Sequence, residues 1–304
     1  RFSILEANFV FTQNLKRGFF VQATFPLREI TLTHIESRDL SPTGSVSPNI
    51  NTPQWQTFLN LFSPILQRYD LNICSIHKKG LGDTSVTLGW AYNYQETEIL
   101  DYVDMTIAAG VLVATGKRKD EDKVFDIALS YDGFNGIPIM GDLSIGAYDW
   151  LTIGAHMGVM VFKGDTRCVR MKTDINQSGF IKLAKGSACI SPGLIWEASG
   201  YVKADHICRG FSALIGYCFA RKNADTVSPR AGQIFNYATV NSDEMFKEWQ
   251  MHTLNFMIDY DFTREDSKFG PRIGLFYNVE VGGKRVFNTS TGGGSVGIDI
   301  DLAF

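Results

Sequence analysis

The segment VTLGWAYNY, residues 86–94, alternates between two kinds of side chain along its whole length. Its even-numbered positions are all aliphatic or aromatic, and the odd-numbered positions between them hold Thr, Gly, Ala and Asn. Successive side chains of a β-strand point to opposite faces of the sheet, so a period of two residues indicates a strand. The segment therefore predicts a strand with one apolar face and one face of small or polar side chains.

The same alternation recurs along the chain and predicts eleven strands in total. Two of them, at residues 5–12 and 21–32, are less regular, and the second changes phase near Pro26, as a β-bulge would cause. The links between strands are alternately short and long. The remaining strands are expected at residues 104–113, 137–146, 151–161, 190–203, 210–220, 253–262, 272–281 and 295–304.

Composition narrows the class of protein. The chain has 304 residues, a net charge of −3 and no apolar run long enough for a transmembrane helix. The near-neutral charge gives no reason to expect a nucleic-acid partner. A soluble β-sandwich would carry many Lys, Glu and Thr side chains outside, whereas the polar faces here are rich in Gly, Ala and Ser. The sequence therefore predicts an all-β fold, with residues 1–304 forming one closed antiparallel transmembrane β-barrel. A soluble sandwich or barrel is a distant alternative.

The C-terminal segment VGIDIDLAF, residues 296–304, alternates and ends on Phe304. In this feature the chain resembles bacterial outer-membrane β-barrel proteins, whose last strand commonly ends in an aromatic residue read by the barrel insertion machinery. The resemblance implies a porin-like protein in the outer membrane of a Gram-negative bacterium, with Phe304 as its assembly signal. The segments at residues 80–83 and 114–117 also resemble aromatic-compound and fatty-acid uptake barrels, a likeness of about 40 residues that implies no ligand site.

The number of strands is an open point of this interpretation. Bacterial single-chain barrels have an even number of strands, whereas eleven segments make the first and last strands run in the same direction. We expect about twelve strands, with ten or fourteen as alternatives. An even number of strands would result if a strand preceded Arg1, if residues 124–131 formed an unrecognised strand, or if residues 1–14 lay outside the wall. The short links would be periplasmic turns and the long links extracellular loops.

The small, polar face of the predicted wall carries most of the candidate functional residues. Acidic side chains outnumber basic ones there, which favours cations over anions in a pore. An equally open alternative is that the acids pair with each other and with loop lysines. The predicted pore-lining residues are Asp104, Asp142, His156, Glu197, Lys203, Asp259, Asp261, Arg272, Glu280, Asp299 and Asp301.

Residues 53–66 are predicted to form a short helix within a long loop, with Pro53 at its first position. Trp55, Phe58 and Phe62 lie on its apolar stripe. In a loop such a stripe needs a partner. The helix would constrict the pore, pack on the barrel rim or contact a second subunit, which leaves a homo-oligomer open.

The loop at residues 163–188 is basic. On an external surface it would bind anionic lipopolysaccharide, fold inward against the acids, or remain solvated. Cys168 and Cys189 belong to this segment, and a disulfide between them is an open possibility in an oxidising compartment. No metal-binding or catalytic motif is present in the sequence, and we expect neither an enzyme nor a cofactor.

Together these features predict a porin-like outer-membrane channel for the passive diffusion of small polar solutes, with a mild preference for cations. Its partners would be the lipid bilayer, lipopolysaccharide and the insertion machinery. The main alternative is a non-conducting barrel that forms structural or adhesive surface contacts. A third interpretation, an uptake channel for a hydrophobic compound, requires an apolar pocket in the lumen, which the small and polar face does not obviously supply.

Overall fold

The computed structural model describes residues 1–35, 52–95, 100–208, 210–262 and 269–300. These residues form an all-β architecture with two α-helices and two 3-10 helices, at Lys16–Gly18 and Glu244–Phe246, and none of these helices is long and apolar enough to cross a membrane. The elements are β1 (Phe2–Asn14), β2 (Phe19–Leu32), α1 (Pro53–Arg68), β3 (Ile76–Leu81), β4 (Thr84–Gln95), β5 (Leu100–Val113), β6 (Gly136–Ala147), β7 (Leu151–Phe162), β8 (Asp165–Arg170), β9 (Lys185–Ser191), β10 (Ile195–Cys208), β11 (Phe211–Lys222), β12 (Thr226–Pro229), α2 (Tyr237–Asn241), β13 (Trp249–Asp261), β14 (Phe269–Lys284) and β15 (Ser290–Ile300).

One antiparallel sheet forms the wall. Its strands follow the order β1-β2-β4-β5-β6-β7-β10-β11-β13-β14-β15, and β3 pairs with β2 beside this path, which makes a twelve-stranded sheet. Every pairing within this sheet is antiparallel, so the predicted all-β antiparallel organisation is confirmed. Residues 124–131 form turns rather than a strand, so they do not supply the additional wall strand considered from the sequence.

The third and fourth strands form one interrupted strand. Both pair antiparallel with β2, and the two ladders differ in register by one residue, so a bulge lies between them with its extra residue among residues 82–84. The bulge predicted within β2 is therefore wrong: the ladder between β1 and β2 has no register shift, and Ile30 is an apolar residue buried on the inner face. Pro26 lies at the interruption, and its carbonyl accepts a 2.7 Å hydrogen bond from the Gly82 amide. A Cβ atom on Gly82 would lie 2.9 Å from the Pro26 ring, so only glycine permits this approach.

Alternation along each strand separates two chemically different faces. Large apolar side chains point outward and stay exposed, with Leu88 and Ile153 each at 55%. Their inward neighbours are nearly covered, with Thr87 and Thr152 each at 4%. This pattern suits a wall that is surrounded by lipid and lined by small polar groups.

The sheet curls, which brings its two ends near each other. The ring of Phe2, at the start of β1, lies 5.7 Å from the ring of Phe287, in the connection between β14 and β15. No backbone ladder joins β1 to β15 within the described parts of the chain, so a closed barrel is not seen there. The structure therefore shows a curled sheet that is consistent with the predicted barrel.

Long connections collect at one end of the sheet, here called the loop end, and short ones at the opposite turn end. At the loop end, β8, β9 and β12 form a second, three-stranded antiparallel sheet. This sheet and the surrounding residues 52–75, 114–135, 163–194 and 223–248 are called the loop layer. Its buried core comprises Phe134, Val169, Met171, Ala188, Ile190, Val227 and Val240.

Candidate functional site

Three of the predicted pore-lining residues meet on the inner face of the sheet. Asp142 of β6 lies opposite His156 of β7, and Glu197 of β10 lies on the next strand. The His156 Nδ1 atom is 2.6 Å from Asp142 Oδ1, and its Nε2 atom is 3.3 Å from Glu197 Oε1. Because each ring nitrogen faces a carboxylate, only the protonated imidazole can donate to both. Two acids and one protonated imidazole leave this inner cluster with a net negative charge.

A second group of inward polar residues is paired internally. Arg272 donates to Asp259 through Nε at 2.9 Å and approaches the same carboxylate through Nη2 at 2.8 Å. The Asp259 side chain is only 1% exposed. Lys203 lies 2.5 Å from Asp205, which also accepts a 2.8 Å hydrogen bond from the Thr152 hydroxyl. These acids therefore contribute less to the field of the lumen than their number suggests.

Asp205 is a residue that the sequence interpretation missed. It shares the inward parity of Lys203, two positions earlier in β10, and this parity was the signal that could have identified it. Its connection to Thr152 on β7 depends on the pairing of two strands that are distant in sequence.

The remaining predicted pore-lining residues do not join one cluster. Asp104 accepts a hydrogen bond from the Asn93 amide on β4. Glu280 accepts a 3.3 Å hydrogen bond from the Thr289 backbone. Asp261 lies at the turn end, where its amide donates to the Gly210 carbonyl at 2.9 Å. The predictions for Asp301 and for the assembly signal Phe304 lie outside the described residues. The backbone of Asp299 lies in β15, and its side chain is not described.

Residues 114–135 form an inserted loop that packs against the inner side of the wall. Asp83, at the interruption between β3 and β4, holds two separate parts of it. Its Oδ1 atom accepts from the Gly116 amide at 2.8 Å, and its Oδ2 atom accepts from the Tyr131 amide at 3.0 Å. The Asp83 amide in turn donates to the Ser130 hydroxyl at 2.8 Å. The inserted loop is thus tied to a strand of the wall.

Arg28 of β2 provides a further anchor from the adjoining strand. Its Nη1 atom donates to the Leu129 carbonyl at 2.8 Å and to the Ser130 hydroxyl at 3.2 Å. The same guanidinium forms an ion pair with Glu6 of β1. Three neighbouring segments of the wall therefore fix the position of residues 129–131.

Two cavities adjoin this anchor. An outer cavity of about 380 Å³ is surrounded mainly by the loop layer, and an inner cavity of about 330 Å³ is surrounded by β1, β2, β4, β5, β6 and β7. Ser130 and Tyr131 line both. The inner cavity has an apolar side that the sequence interpretation did not identify. It is formed by Val10, Pro26, Leu112, Pro138, Met140 and Met160.

The cations around the outer cavity have acidic partners. Arg167 pairs with Asp132, and Lys182 pairs with Asp243. Lys182 is buried, and this burial lowers the pKa of its ammonium group. The basic segment 163–188 thus contributes buried ion pairs to the loop layer.

The aromatic residues of the predicted helix lie away from the two cavities. Trp55 stacks on Phe58 with a 5.4 Å separation of ring centroids, and Phe58 lies 5.9 Å from Phe62. Phe62 packs with Leu66 against a small cluster that includes Val124 of the inserted loop. The helix therefore contacts the rest of the loop layer through its C-terminal half.

Cys168 and Cys189 lie on the paired strands β8 and β9 and are free thiols. The register places Cys168 opposite Ser187 and Cys189 opposite Thr166, so neither cysteine faces the other directly.

No protein-family model matches this sequence, and no curated protein matches it. Among solved structures, the chain is similar to an outer membrane channel from Pseudomonas putida F1, with a TM-score of 0.52 and 9% sequence identity. The similarity covers 97% of this chain and 81% of the channel. At this low identity the comparison shows a shared fold. The chain folds like an outer membrane channel.

Proposed function

We propose that this protein is an outer-membrane channel that lets small polar solutes diffuse through the inside of its curled sheet. The observation that carries the proposal is the inner cavity of about 330 Å³, which shares Ser130 and Tyr131 with the outer cavity. In this proposal the two cavities belong to one path that leads from the loop end into the wall. The shared fold with an outer membrane channel supports the same proposal.

The outward face supports a membrane location. Its apolar side chains would be costly to leave in water, and each buried CH₂ group gains about 0.8 kcal/mol in an apolar surrounding. In this proposal the lipid bilayer covers the wall, and lipopolysaccharide surrounds the loop end. The insertion machinery would recognise Phe304.

A mild preference for cations is part of the proposal. Asp142 and Glu197 carry two negative charges against one positive charge on the protonated imidazole of His156. Both carboxylates remain nearly half exposed, so they can act on ions in the lumen. Asp259 contributes little because Arg272 compensates it.

Planar-bilayer conductance of the refolded full chain tests the channel proposal. We expect discrete conductance steps and a reversal potential in a KCl gradient that indicates preference for potassium. Folding is checked in the same preparation by heat-modifiable migration in gels. A folded protein that never conducts would contradict the proposal and favour a structural or adhesive barrel.

A specific observation favours a second candidate, uptake of a small hydrophobic compound. Met140, Met160 and Leu112 provide an apolar side to the inner cavity, which this function requires. Quenching of protein fluorescence by a hydrophobic probe distinguishes the candidates. Substitution Met160→Ser should weaken probe binding if the hydrophobic candidate is correct and leave KCl conductance nearly unchanged.

A further inference from the structure

Tyr131 has an unusual position in the molecule. It belongs to a long connection, yet it lines both the inner and the outer cavity. The residue is 40% exposed, so part of its surface faces open space. One side of the ring is supported by Phe162 of β7, with the ring centroids 5.2 Å apart. A supported ring at the junction of two cavities has the geometry of a constriction.

The backbone around Tyr131 is held in place on both sides. Its amide donates to the buried carboxylate of Asp83, and Arg28 bonds the carbonyl of Leu129 two residues earlier. Asp132 and Gly133, which follow, have positive φ values of 54° and 77° and turn the chain back. The positive φ of Gly133 favours glycine there, because an L side chain would be strained in this conformation.

We infer that Tyr131 is the residue that limits the size of solutes passing between the outer and the inner cavity. Asp83 and Arg28 act as positioning residues, because they hold the loop that carries the ring. This inference rests on the proposed channel function and names the residue that sets the size limit for solutes. A phenol ring anchored in this way narrows the path by its volume, and removal of the ring widens it.

The test compares the substitution Tyr131→Ala with the wild type in planar bilayers and in liposome swelling. We expect the single-channel conductance in KCl to rise on the order of twofold. Swelling in the trisaccharide raffinose should increase more than swelling in the small sugar arabinose. Tyr131→Phe keeps the ring and should behave like the wild type.

Tyr94→Ala is the matched control, because this tyrosine is half exposed on the outward face. It removes the same atoms and should leave conductance unchanged. Asp83→Ala, which releases the amides of Gly116 and Tyr131, is a second variant and should also raise conductance. If Asp83→Ala fails to fold, the comparison of Tyr131→Ala with the wild type still tests the inference.

The outcomes separate this inference from the channel proposal. If the wild type conducts and Tyr131→Ala conducts equally, or if Tyr94→Ala raises conductance as much, the constriction is refuted and the channel remains. If the folded wild type is silent and Tyr131→Ala conducts, Tyr131 blocks the path: the constriction is supported, and the proposal that the wild type lets small polar solutes through is refuted. If folded wild type and Tyr131→Ala are both silent, the channel proposal fails and the inference fails with it.

Discussion

The wall and the loop layer bury apolar side chains in opposite ways. In the wall, large apolar residues such as Ile107 point outward and are more than half exposed. In the loop layer, Met171 and Val227 are completely buried in a common core. The outward apolar face of the wall suits the proposed membrane location, whereas the loop layer buries its apolar side chains in a core of its own. The two regions therefore place their apolar side chains differently, on the outward face in the wall and in an internal core in the loop layer.

The largest expected effect is on assembly of the wall. Ile107→Arg places a charge at the centre of β5 on the face assigned to lipid, at a cost of about 2–4 kcal/mol. We expect loss of the heat-modifiable folded form in lipid vesicles. Thr106→Arg is the matched control, because Thr106 points inward and lies opposite Asp142 in the ladder. Equal loss of folding in both variants would contradict the assignment of the two faces.

The next effect is confined to the loop layer. Met171 has no exposed surface, and Met171→Ala should destabilise this layer by about 2–5 kcal/mol through lost contacts and a cavity. We expect faster proteolysis of residues 163–194 with heat-modifiable folding of the wall retained. Ile234→Ala is the control, because Ile234 is 79% exposed. Simultaneous unfolding of wall and loop layer would show that the two regions are one cooperative unit.

A smaller effect concerns ion selectivity. The double substitution Asp142→Asn and Glu197→Gln removes both acids beside His156. The ratio of potassium to chloride permeability should fall by roughly twofold at low salt, and the difference should shrink at high salt because of screening. Glu244→Gln, in the loop layer, is the control because its side chain is 73% exposed. Reversal potentials that do not change would show that the inner cluster does not control selectivity.

The smallest effect is a pH dependence within the loop layer. Hydrogen bonds from Lys185, and from Arg170, lower the pKa of Asp122 below its usual 3.8. This pairing contributes stability above pH 3.8, and the contribution is lost as the pH falls through the lowered pKa of the folded state. Asp122→Asn should cost about 0.5 kcal/mol at pH 7, a small value because the side chain is partly exposed.

Proteolysis of the loop layer between pH 7 and pH 2 measures this dependence. The difference between Asp122→Asn and the wild type should disappear at the acidic end. A difference that persists there unchanged would mean that the asparagine acts through packing rather than through lost charge.

Local periodicity explains why the wall was predictable. The alternation of side-chain types in residues 86–94 and 151–161 predicts which positions share a face of the sheet, because successive residues of a strand point to opposite faces. The inward positions of Asp142, His156 and Glu197 follow from the same parity. Their contact does not, because it requires β7 to pair with both β6 and β10.

The inserted loop shows where local patterns stop being informative. Residues 124–131 contain enough apolar side chains to suggest a strand, yet they form turns at the inner side of the wall. Their position depends on Arg28, which bonds Leu129 across a separation of 101 residues. Likewise, Arg170 and Lys182 belong to a basic segment of the sequence, but partners elsewhere in the loop layer bury them.

The sequence by itself determined that this protein is an all-β chain of alternating strands, with apolar side chains on one face and small or polar side chains on the other. It did so because a strand repeats every two residues and its two faces meet different surroundings. Only the tertiary structure decided which charges compensate each other, where the two cavities lie and that Tyr131 lines both of them. Those features arise from contacts between residues distant in the chain, and no local period encodes such contacts.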